Sequence, residues 1–429
     1  MALDGFKPEV QVLDSAGVII DPATKTAQTD GSQKVQISGP LTAFGDLRNA
    51  ELSPIFQINF DYTVDNTEIT TNTVVNGGTV TQANSMAVVS SSATTGSTAL
   101  LVSKTSAKYK SGLGALSRFT TLFETAVAGT HQYMGLADEV GSSVSFKNGY
   151  MIGYNGTTFG FHRFQNDTQI SVAQSSFDDP LDGTGASGIT LDQTKLNAWE
   201  IRFQYLGSGS MELWLASEYT GKFVLVNTVQ YTNQNTEPSV YNTNFKFSIY
   251  VDNGATTSDI VLKSGSTSYF IEGKSPFLIN RQPKHSTGTV EKTTVTTSIA
   301  LLTIRNKSIY ASKTNFIDCL IESISISEEA SSANNLAQFR LVKNATLGGT
   351  PSYTDIDTSD SVLDLDTAGT TVTGGVELLS AQLAGKNDRF FEKLVELELV
   401  LFPGDTVTLS VLSANSATFR GSLLLKELF

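Results

Sequence analysis

The stretch of residues 199–231 sets the strongest limit on what this chain can fold into. Trp199, Ile201 and Phe203 alternate with polar residues, which is the period of a strand with one buried face and one wet face. Two glycine-containing turns follow, and the apolar alternation resumes after each of them. The stretch therefore predicts a three-stranded antiparallel meander, whose apolar face needs a second sheet to cover it.

Strand-like segments of this kind recur along most of the chain and are separated by turn formers, with no long stretch of helical period. That spacing predicts an all-β protein built of sandwiches. We expect an N-terminal arm over residues 1–49, a β-sandwich over 50–282 and a smaller, jelly-roll-like C-terminal β-sandwich over 283–429, joined by a linker near residues 283–288. The segments around 327–337 and 378–391 stay open between short helix and loop.

The arm contains only short apolar alternations that cannot close a core of their own. It is interpreted as an assembly segment that adds strands to a neighbouring subunit, and the alternative is a disordered leader.

Charge and cysteine content exclude several classes of function. The net charge of −13 argues against a nucleic-acid partner, because phosphate contacts need clustered Lys and Arg. No run of 18 apolar residues and no signal-peptide pattern is visible, so we predict neither a membrane span nor export. The single cysteine, Cys319, has strand-like surroundings and is predicted to be a buried apolar filler rather than a reactive thiol.

Several segments resemble the concanavalin/laminin-G type of jelly-roll sandwich over about residues 50–280. They are KYKSGLG before RFTTLF, the GYNGTTFGF hairpin, and WEIRFQYLGSGSMELWL followed by GKFVLVNTVQY. The resemblance implies a concanavalin-like fold for this domain.

Three further segments are similar to uncharacterised structural proteins of tailed bacteriophages: LTAFGDLRNAELSPIFQINFDY, TIRNKSIYASKTNFIDCLIESISI and PGDTVTLSVLSANSATFRGSLLLKELF. This resemblance implies a virion component that is made in the host cytoplasm and assembles with other virion proteins. A tail or collar fibre, or a head decoration protein, fits best, and host or environmental glycans are the expected external partner.

Enzyme activity is not expected. Glycan hydrolases of this sandwich type place two or three carboxylates on one strand face about 5 Å apart, whereas Glu200 and Glu212 each stand alone on their strands. Two alternatives remain beside the virion role, namely a soluble carbohydrate-binding module and a glycan hydrolase of the same fold.

His162 is interpreted as a half-exposed strand residue, and the histidines have no metal-ligand spacing.

Two kinds of binding residue are predicted. Asp178, Asp179 and Asp182 precede a glycine in a long loop, and such oxygen ligands suit calcium, although a solvated loop is the alternative. A later aspartate run over residues 355–366 is interpreted as a solvated strand edge. For glycan stacking the candidates are Trp214, Tyr154 and Tyr219, with core packing as the alternative for Trp214.

The end of the chain predicts self-association. Leu423, Leu424 and Leu425, with Leu428 and Phe429, are apolar at both strand parities, so one face needs a partner beyond its own sandwich. We expect a homo-oligomer held by the C-terminal sandwich, and by analogy with phage appendages a trimer.

Overall fold

The computed structural model describes residues 12–13, 19–20, 51–138, 146–273, 282–330, 335–384 and 387–429. By its contacts the chain divides into two units, Met1–Ala50 and Glu51–Phe429. In the first unit, strand β1 (Val12–Leu13) pairs antiparallel with β2 (Ile19–Ile20). The rest of the predicted assembly arm lies outside the described residues.

The first sandwich is formed by strands β3–β18. Their bounds are β3 Leu52–Asn59, β4 Thr70–Val75, β5 Thr79–Ala83, β6 Met86–Ser90, β7 Thr98–Ser103, β8 Ala115–Thr121, β9 His131–Ala137, β10 Gly149–Asn155, β11 Thr158–Gln165, β12 Thr168–Ala173, β13 Asn197–Phe203, β14 Met211–Ala216, β15 Phe223–Val229, β16 Lys246–Asp252, β17 Val261–Ser264 and β18 Ser266–Glu272. A 3-10 helix spans Gln174–Ser176.

The second sandwich is formed by strands β19–β34. Their bounds are β19 Lys284–Ser286, β20 Val290–Val295, β21 Ile299–Asn306, β22 Ile309–Tyr310, β23 Lys313–Thr314, β24 Asp318–Ala330, β25 Leu336–Lys343, β26 Thr346–Leu347, β27 Tyr353–Asp355, β28 Leu363–Asp366, β29 Val372–Thr373, β30 Val376–Ala384, β31 Arg389–Lys393, β32 Val400–Leu401, β33 Thr406–Ser413 and β34 Ala417–Leu428. A second 3-10 helix spans Val395–Leu397. In the described part of the chain, no helix is long and apolar enough to cross a membrane.

Two large antiparallel sheets enclose the core of the first sandwich. One has seven strands in the order β12-β11-β10-β9-β16-β7-β4, and the other has six in the order β15-β14-β13-β8-β18-β3. Rings from the two sheets meet in the middle, since Phe119 and Phe247 lie 5.6 Å apart between centroids and Tyr150 and Phe203 lie 5.2 Å apart. The prediction of an all-β, concanavalin-like sandwich with a β13-β14-β15 meander is therefore confirmed.

The second sandwich is confirmed as well. Its sheets run β19-β34-β24-β31 and β27-β28-β21-β33-β25-β30, and they share a separate core. Cys319 is fully buried in that core, as predicted. The segments left open between helix and loop contain strands instead, because β24 continues to Ala330 and residues 378–391 hold most of β30 and part of β31.

A set of polar contacts joins the two sandwiches, and we call it the sandwich seam. Lys108 Nζ lies 2.9 Å from Asp318 Oδ2, and Lys343 Nζ lies 2.6 Å from Glu68 Oε2. The Ser106 hydroxyl donates to the Phe316 carbonyl at 3.0 Å. Lys108 and Asp318 are both buried, so water screens this pair little, whereas Glu68 keeps 45% of its side chain exposed beside the buried Lys343.

The predicted linker is wrong. His285 and its neighbours in β19 pair with β34, so residues 284–286 form a strand of the second sandwich. Residues 274–281 lie outside the described part of the chain.

The argument for self-association from the apolar terminus is also corrected. Leu423 and Leu425 lie in the core of the second sandwich, and Leu428 is buried too. On either side, β34 pairs with β24 and with β19 and β20. The chain covers most of this terminus itself, and the trimer remains a prediction.

His162 is buried rather than half-exposed, with 1% of its surface accessible. Its parity on β11 is outward, as predicted, but the outer face of the seven-stranded sheet carries an apolar cluster that includes Tyr133, Phe146 and Phe164. Burial lowers the pKa of His162 to about 4, although its hydrogen bond to the Gly153 carbonyl acts in the opposite direction. The ring is therefore neutral at pH 7.

Trp199 offers a direct test of the core. It is fully buried, its indole N–H donates to Thr121 Oγ1 at 3.0 Å, and its ring lies 6.1 Å from that of Phe159. Trp199→Ala is expected to lower the free energy of unfolding by about 3–5 kcal/mol, because it leaves a cavity between the sheets. Chemical denaturation measures the loss. Leu196→Ala, at an exposed neighbouring position, is the control and should change stability by less than about 0.5 kcal/mol. An equally small effect of Trp199→Ala would contradict the assigned core.

Candidate functional site

A cleft of about 410 Å³ lies at one end of the first sandwich. Strand β10 contributes Tyr154, the β10–β11 turn contributes Thr157, and the first residue of β11 is Thr158. The long loop after β12 contributes Pro180 and Asp182. Two residues predicted separately, Tyr154 for glycan stacking and Asp182 for calcium, thus line the same cleft.

The loop that forms one wall is anchored by apolar residues. Phe177, Leu181 and Ile189 are buried in the core of the first sandwich. Backbone bonds close the loop on itself, since the Gly183 N–H donates to the Ile189 carbonyl and the Leu191 N–H to the Leu181 carbonyl, both at 2.9 Å. The long polar loop is consequently a folded part of the sandwich and not a loop that is merely solvated.

Tyr154 is held in place by two neighbouring rings. Its ring meets Phe123 and Phe159 edge-on, at centroid distances of 5.8 and 5.1 Å. Burial raises the pKa of Tyr154, and the Asp192 carboxylate adds to the effect. The phenol therefore stays protonated at neutral pH and keeps a hydroxyl donor at the cleft.

Two glutamine side chains form a short relay along the cleft. Gln193 Nε2 donates to Gln174 Oε1 at 2.8 Å, and Gln174 Nε2 donates to the Pro180 carbonyl at 2.9 Å. Among the described residues, no protein donor reaches Gln193 Oε1. The relay fixes the direction of both amides and leaves this oxygen as an acceptor.

Asp182 supplies a carboxylate to the same cleft. The Thr184 hydroxyl and backbone N–H donate to its Oδ1 at 2.5 and 2.9 Å, and these two bonds lower the pKa of Asp182. The group is therefore ionised at neutral pH. Within the described part of the chain, Oδ2 accepts from no protein donor.

The other two aspartates predicted as calcium ligands stabilise the loop. Asp179 is buried and accepts the Leu181 N–H at 3.2 Å and the Ser187 N–H at 2.7 Å, whereas Asp178 accepts the Thr228 N–H at 2.8 Å. In the described residues, no group of three His, Cys, Asp or Glu side chains is gathered in a way that could hold a metal ion. Calcium binding stays a prediction.

Trp214 and Tyr219 lie away from the cleft. Trp214 faces outward from the six-stranded sheet, where the Arg202 guanidinium lies 3.8 Å from the ring centroid and the indole N–H donates to Glu212 at 2.9 Å. The Trp214 indole is thus partly covered by the Arg202 side chain and does not pack in the core. Tyr219 is exposed in the turn between β14 and β15.

Carboxylates are scarce on the large sheets. Asp252 is the only acidic residue in the seven strands of the first sheet, and His131 Nδ1 lies 3.2 Å from it. On the other sheet Glu200 is fully buried and contacts both Arg118 and Arg202. Neither group has a second free carboxylate beside it on its own strand.

Gln174, Gln193 and the two threonines were not predicted from the sequence. Single glutamines and threonines carry no periodic signal. The threonines lie in the hairpin next to Tyr154, whereas only the return of the loop to the end of β10 brings the two glutamines there.

Comparison with known proteins finds similarity in solved structures only. No protein-family model matches the chain, and no curated protein matches it. The metal-free carbohydrate recognition domain of Emp46p is 10% identical, with 51% of this chain and 98% of that chain covered at a TM-score of 0.33. The Ca²⁺/Man3GlcNAc-bound exoplasmic/lumenal domain of VIP36 is 8% identical, with 54% and 92% covered at 0.34. The laminarinase from Rhodothermus marinus is 9% identical, with 53% and 100% covered at 0.36.

The role of Asp179 in the loop can be tested together with calcium. Asp179→Ala is expected to cost about 1–3 kcal/mol of unfolding free energy, because two amide N–H groups lose their acceptor. Thermal unfolding in calcium and in EDTA measures this cost, which should be equal in both. Asp360→Ala, at an exposed position in the second sandwich, is the control. If calcium raises the unfolding temperature of the wild-type chain and Asp179→Ala abolishes the gain, the loop holds an ion and the structural explanation is wrong.

Proposed function

We propose that this chain is a non-enzymatic carbohydrate-binding protein whose cleft beside Tyr154 holds a saccharide. The observation that carries the proposal is the combination of groups in one cleft: a fixed aromatic ring, a linked pair of amides, two threonines and an ionised carboxylate. Sugar hydroxyls donate and accept hydrogen bonds at once, so they match amide and carboxylate groups held in fixed directions. The negative face of an aromatic ring attracts the C–H face of a sugar.

The scarcity of acidic residues on the sheets supports a binding role rather than hydrolysis. Glycoside hydrolysis by the common route needs two carboxyl groups on either side of the bond. In the seven-stranded sheet Asp252 is the only acidic residue, and on the six-stranded sheet the buried Glu200 is neutralised by two arginines. Asp182 alone lines the cleft with a carboxylate.

For the biological setting we propose a bacteriophage virion. The resemblance of the three segments around residues 41–62, 303–326 and 403–429 to tailed-phage structural proteins supports it. In this setting the chain is made in the host cytoplasm, assembles with other virion proteins as a homo-oligomer, and presents its cleft on a tail or collar fibre or on the head. A soluble carbohydrate-binding module would use the same cleft without the particle.

Substitutions in the cleft test saccharide binding. On an array of bacterial surface polysaccharides and defined oligosaccharides, Tyr154→Ala and Gln193→Ala are each expected to weaken binding about tenfold or more, since each removes a contact worth at least about 1.4 kcal/mol. Tyr62→Ala, a substitution of a fully exposed tyrosine, is the matched control and should bind like the wild-type chain. Thermal unfolding confirms that all variants are folded. Unchanged binding by both cleft variants would rule out this cleft as the site.

The virion assignment has its own measurement. Mass spectrometry of purified phage particles should detect this chain at a defined ratio to the major capsid protein, as a built-in component requires. A chain found only in the lysate, and absent from particles purified on a density gradient, would favour the soluble module.

A further inference from the structure

A larger cleft, of about 690 Å³, lies on the second sandwich. Strand β21 and the residues after it contribute Arg305 and Lys307, the edge strand β27 contributes Tyr353 and Asp355, and β28 contributes Asp364. Its volume is in the range of ligand pockets in proteins.

The charged groups of this cleft are paired in a fixed geometry. Arg305 Nη2 and Nε donate to Asp364 Oδ2 at 2.5 and 3.2 Å. Lys307 Nζ lies 2.5 Å from Asp355 Oδ1 and 3.4 Å from Asp364 Oδ1. The hydrogen bond from Lys307 lowers the pKa of Asp355, so the carboxylate stays ionised at neutral pH. Two cations and two carboxylates leave the cleft without net charge.

The prediction of a solvated aspartate edge holds for Asp355, Asp357 and Asp360, which are exposed. It is corrected for the last two aspartates of the run. Asp364 and Asp366 are buried, and Asp366 accepts the backbone N–H groups of Ser352 and Gly369 at 2.6 and 3.0 Å. Buried charges need partners, and the chain supplies them at matching positions on neighbouring strands. Asp355 alone among the paired carboxylates keeps much of its side chain in solvent, with 41% of it exposed.

The Arg305 side chain is 41% exposed, and its guanidinium lies 4.1 Å from the centre of the Tyr353 ring. Stacking on the ring holds the guanidinium flat, and within the described residues its Nη1 donates to no protein acceptor. Asp355 offers an acceptor beside it. The cleft is also lined by Ser308 and by Ile309, which is 66% exposed and provides an apolar surface.

We propose that this cleft is a second saccharide site. A site with no net charge does not favour a simple anion or cation, since attraction by one ion of a pair is cancelled by the other. It does favour a neutral ligand with neighbouring hydroxyls, which can donate to Asp355 and accept from Arg305 while its C–H groups pack on Ile309. Vicinal diols of neutral hexoses and N-acetylhexosamines have this arrangement.

The inference rests on the proposed function in one respect, since it extends saccharide binding from the first sandwich to the second. Where both clefts reach the same glycan surface, the chain binds that surface bivalently. The second contact then forms at a high effective concentration, and each site strengthens the other without touching it.

The experiment uses the full-length chain on surfaces of immobilised neutral hexose and N-acetylhexosamine oligosaccharides. Tyr353→Ala and Asp355→Asn are the variants of the second cleft, Tyr154→Ala is the variant of the first, and Tyr62→Ala is the control. Loss of either site is expected to weaken surface binding about a hundredfold, because bivalency is lost. The double variant Tyr154→Ala/Tyr353→Ala should not bind. Asp355→Asn preserves the size of the side chain, so it keeps the test valid if Tyr353→Ala folds poorly.

The outcomes separate the two proposals. If Tyr353→Ala and Asp355→Asn bind like the wild-type chain while Tyr154→Ala loses binding, the second site is overturned and the first cleft stands. If Tyr154→Ala has no effect and the second-cleft variants lose binding, the second site stands and the first cleft is ruled out. A wild-type chain that binds none of the surfaces overturns both.

Discussion

Contact between Tyr150 on one large sheet and Phe203 on the other joins the two sheets of the first sandwich around one core. Strand β10 carries Tyr150 and, four residues later on the same face and next to the last residue of the strand, Tyr154. Because side chains alternate along a strand, the position of Tyr154 follows from the burial of Tyr150 and Ile152. The Tyr154 ring at the cleft thus continues the row of core residues on β10. It packs edge-on against Phe123 and Phe159, as rings within the core do. A binding group supported in this way loses little side-chain entropy when a ligand arrives.

The alternation of apolar residues was sufficient to predict most strands of both sandwiches and the burial of Trp199 and Cys319. It failed where a residue faces outward without being exposed. His162 has the outward parity that its pattern indicates, but Tyr133 and Phe164 cover the outer face of that sheet. Asp364 and Asp366 likewise lie on a strand whose polar side is closed by Arg305 and by backbone N–H groups. A period-two pattern distinguishes the two faces of a strand, but it does not show whether other side chains cover the outer face.

The candidate site shows a similar limit. Tyr154 and Asp182 were predicted for different ligands, since the chain separates them by a strand and a loop, and only the return of that loop to the sheet end brings them into one cleft. Trp214 satisfied the same compositional criterion as Tyr154, yet Arg202 lies against its indole. Whether an aromatic ring is free to stack on a ligand depends on what packs against it, and neighbours across strands are not adjacent in the sequence. The sequence shows the charges of the second cleft but not how they pair. The partners lie on different strands, as Arg305 with Asp364 and Lys307 with Asp355.

The sandwich seam gives the two halves a fixed relation. Removal of one partner from a buried ion pair such as Lys108 with Asp318 costs about 3–5 kcal/mol, so rotation of one sandwich against the other, which would break the pair, is strongly opposed. Lys343, with Glu68 across the seam and Asp405 on its own side, adds a second fixed point. Two points of attachment remove the freedom that a flexible linker would leave. With a ligand group in each cleft, the chain would therefore select surfaces by the spacing of their sugar units. A surface with the wrong spacing would be bound weakly, however well each sugar fits by itself.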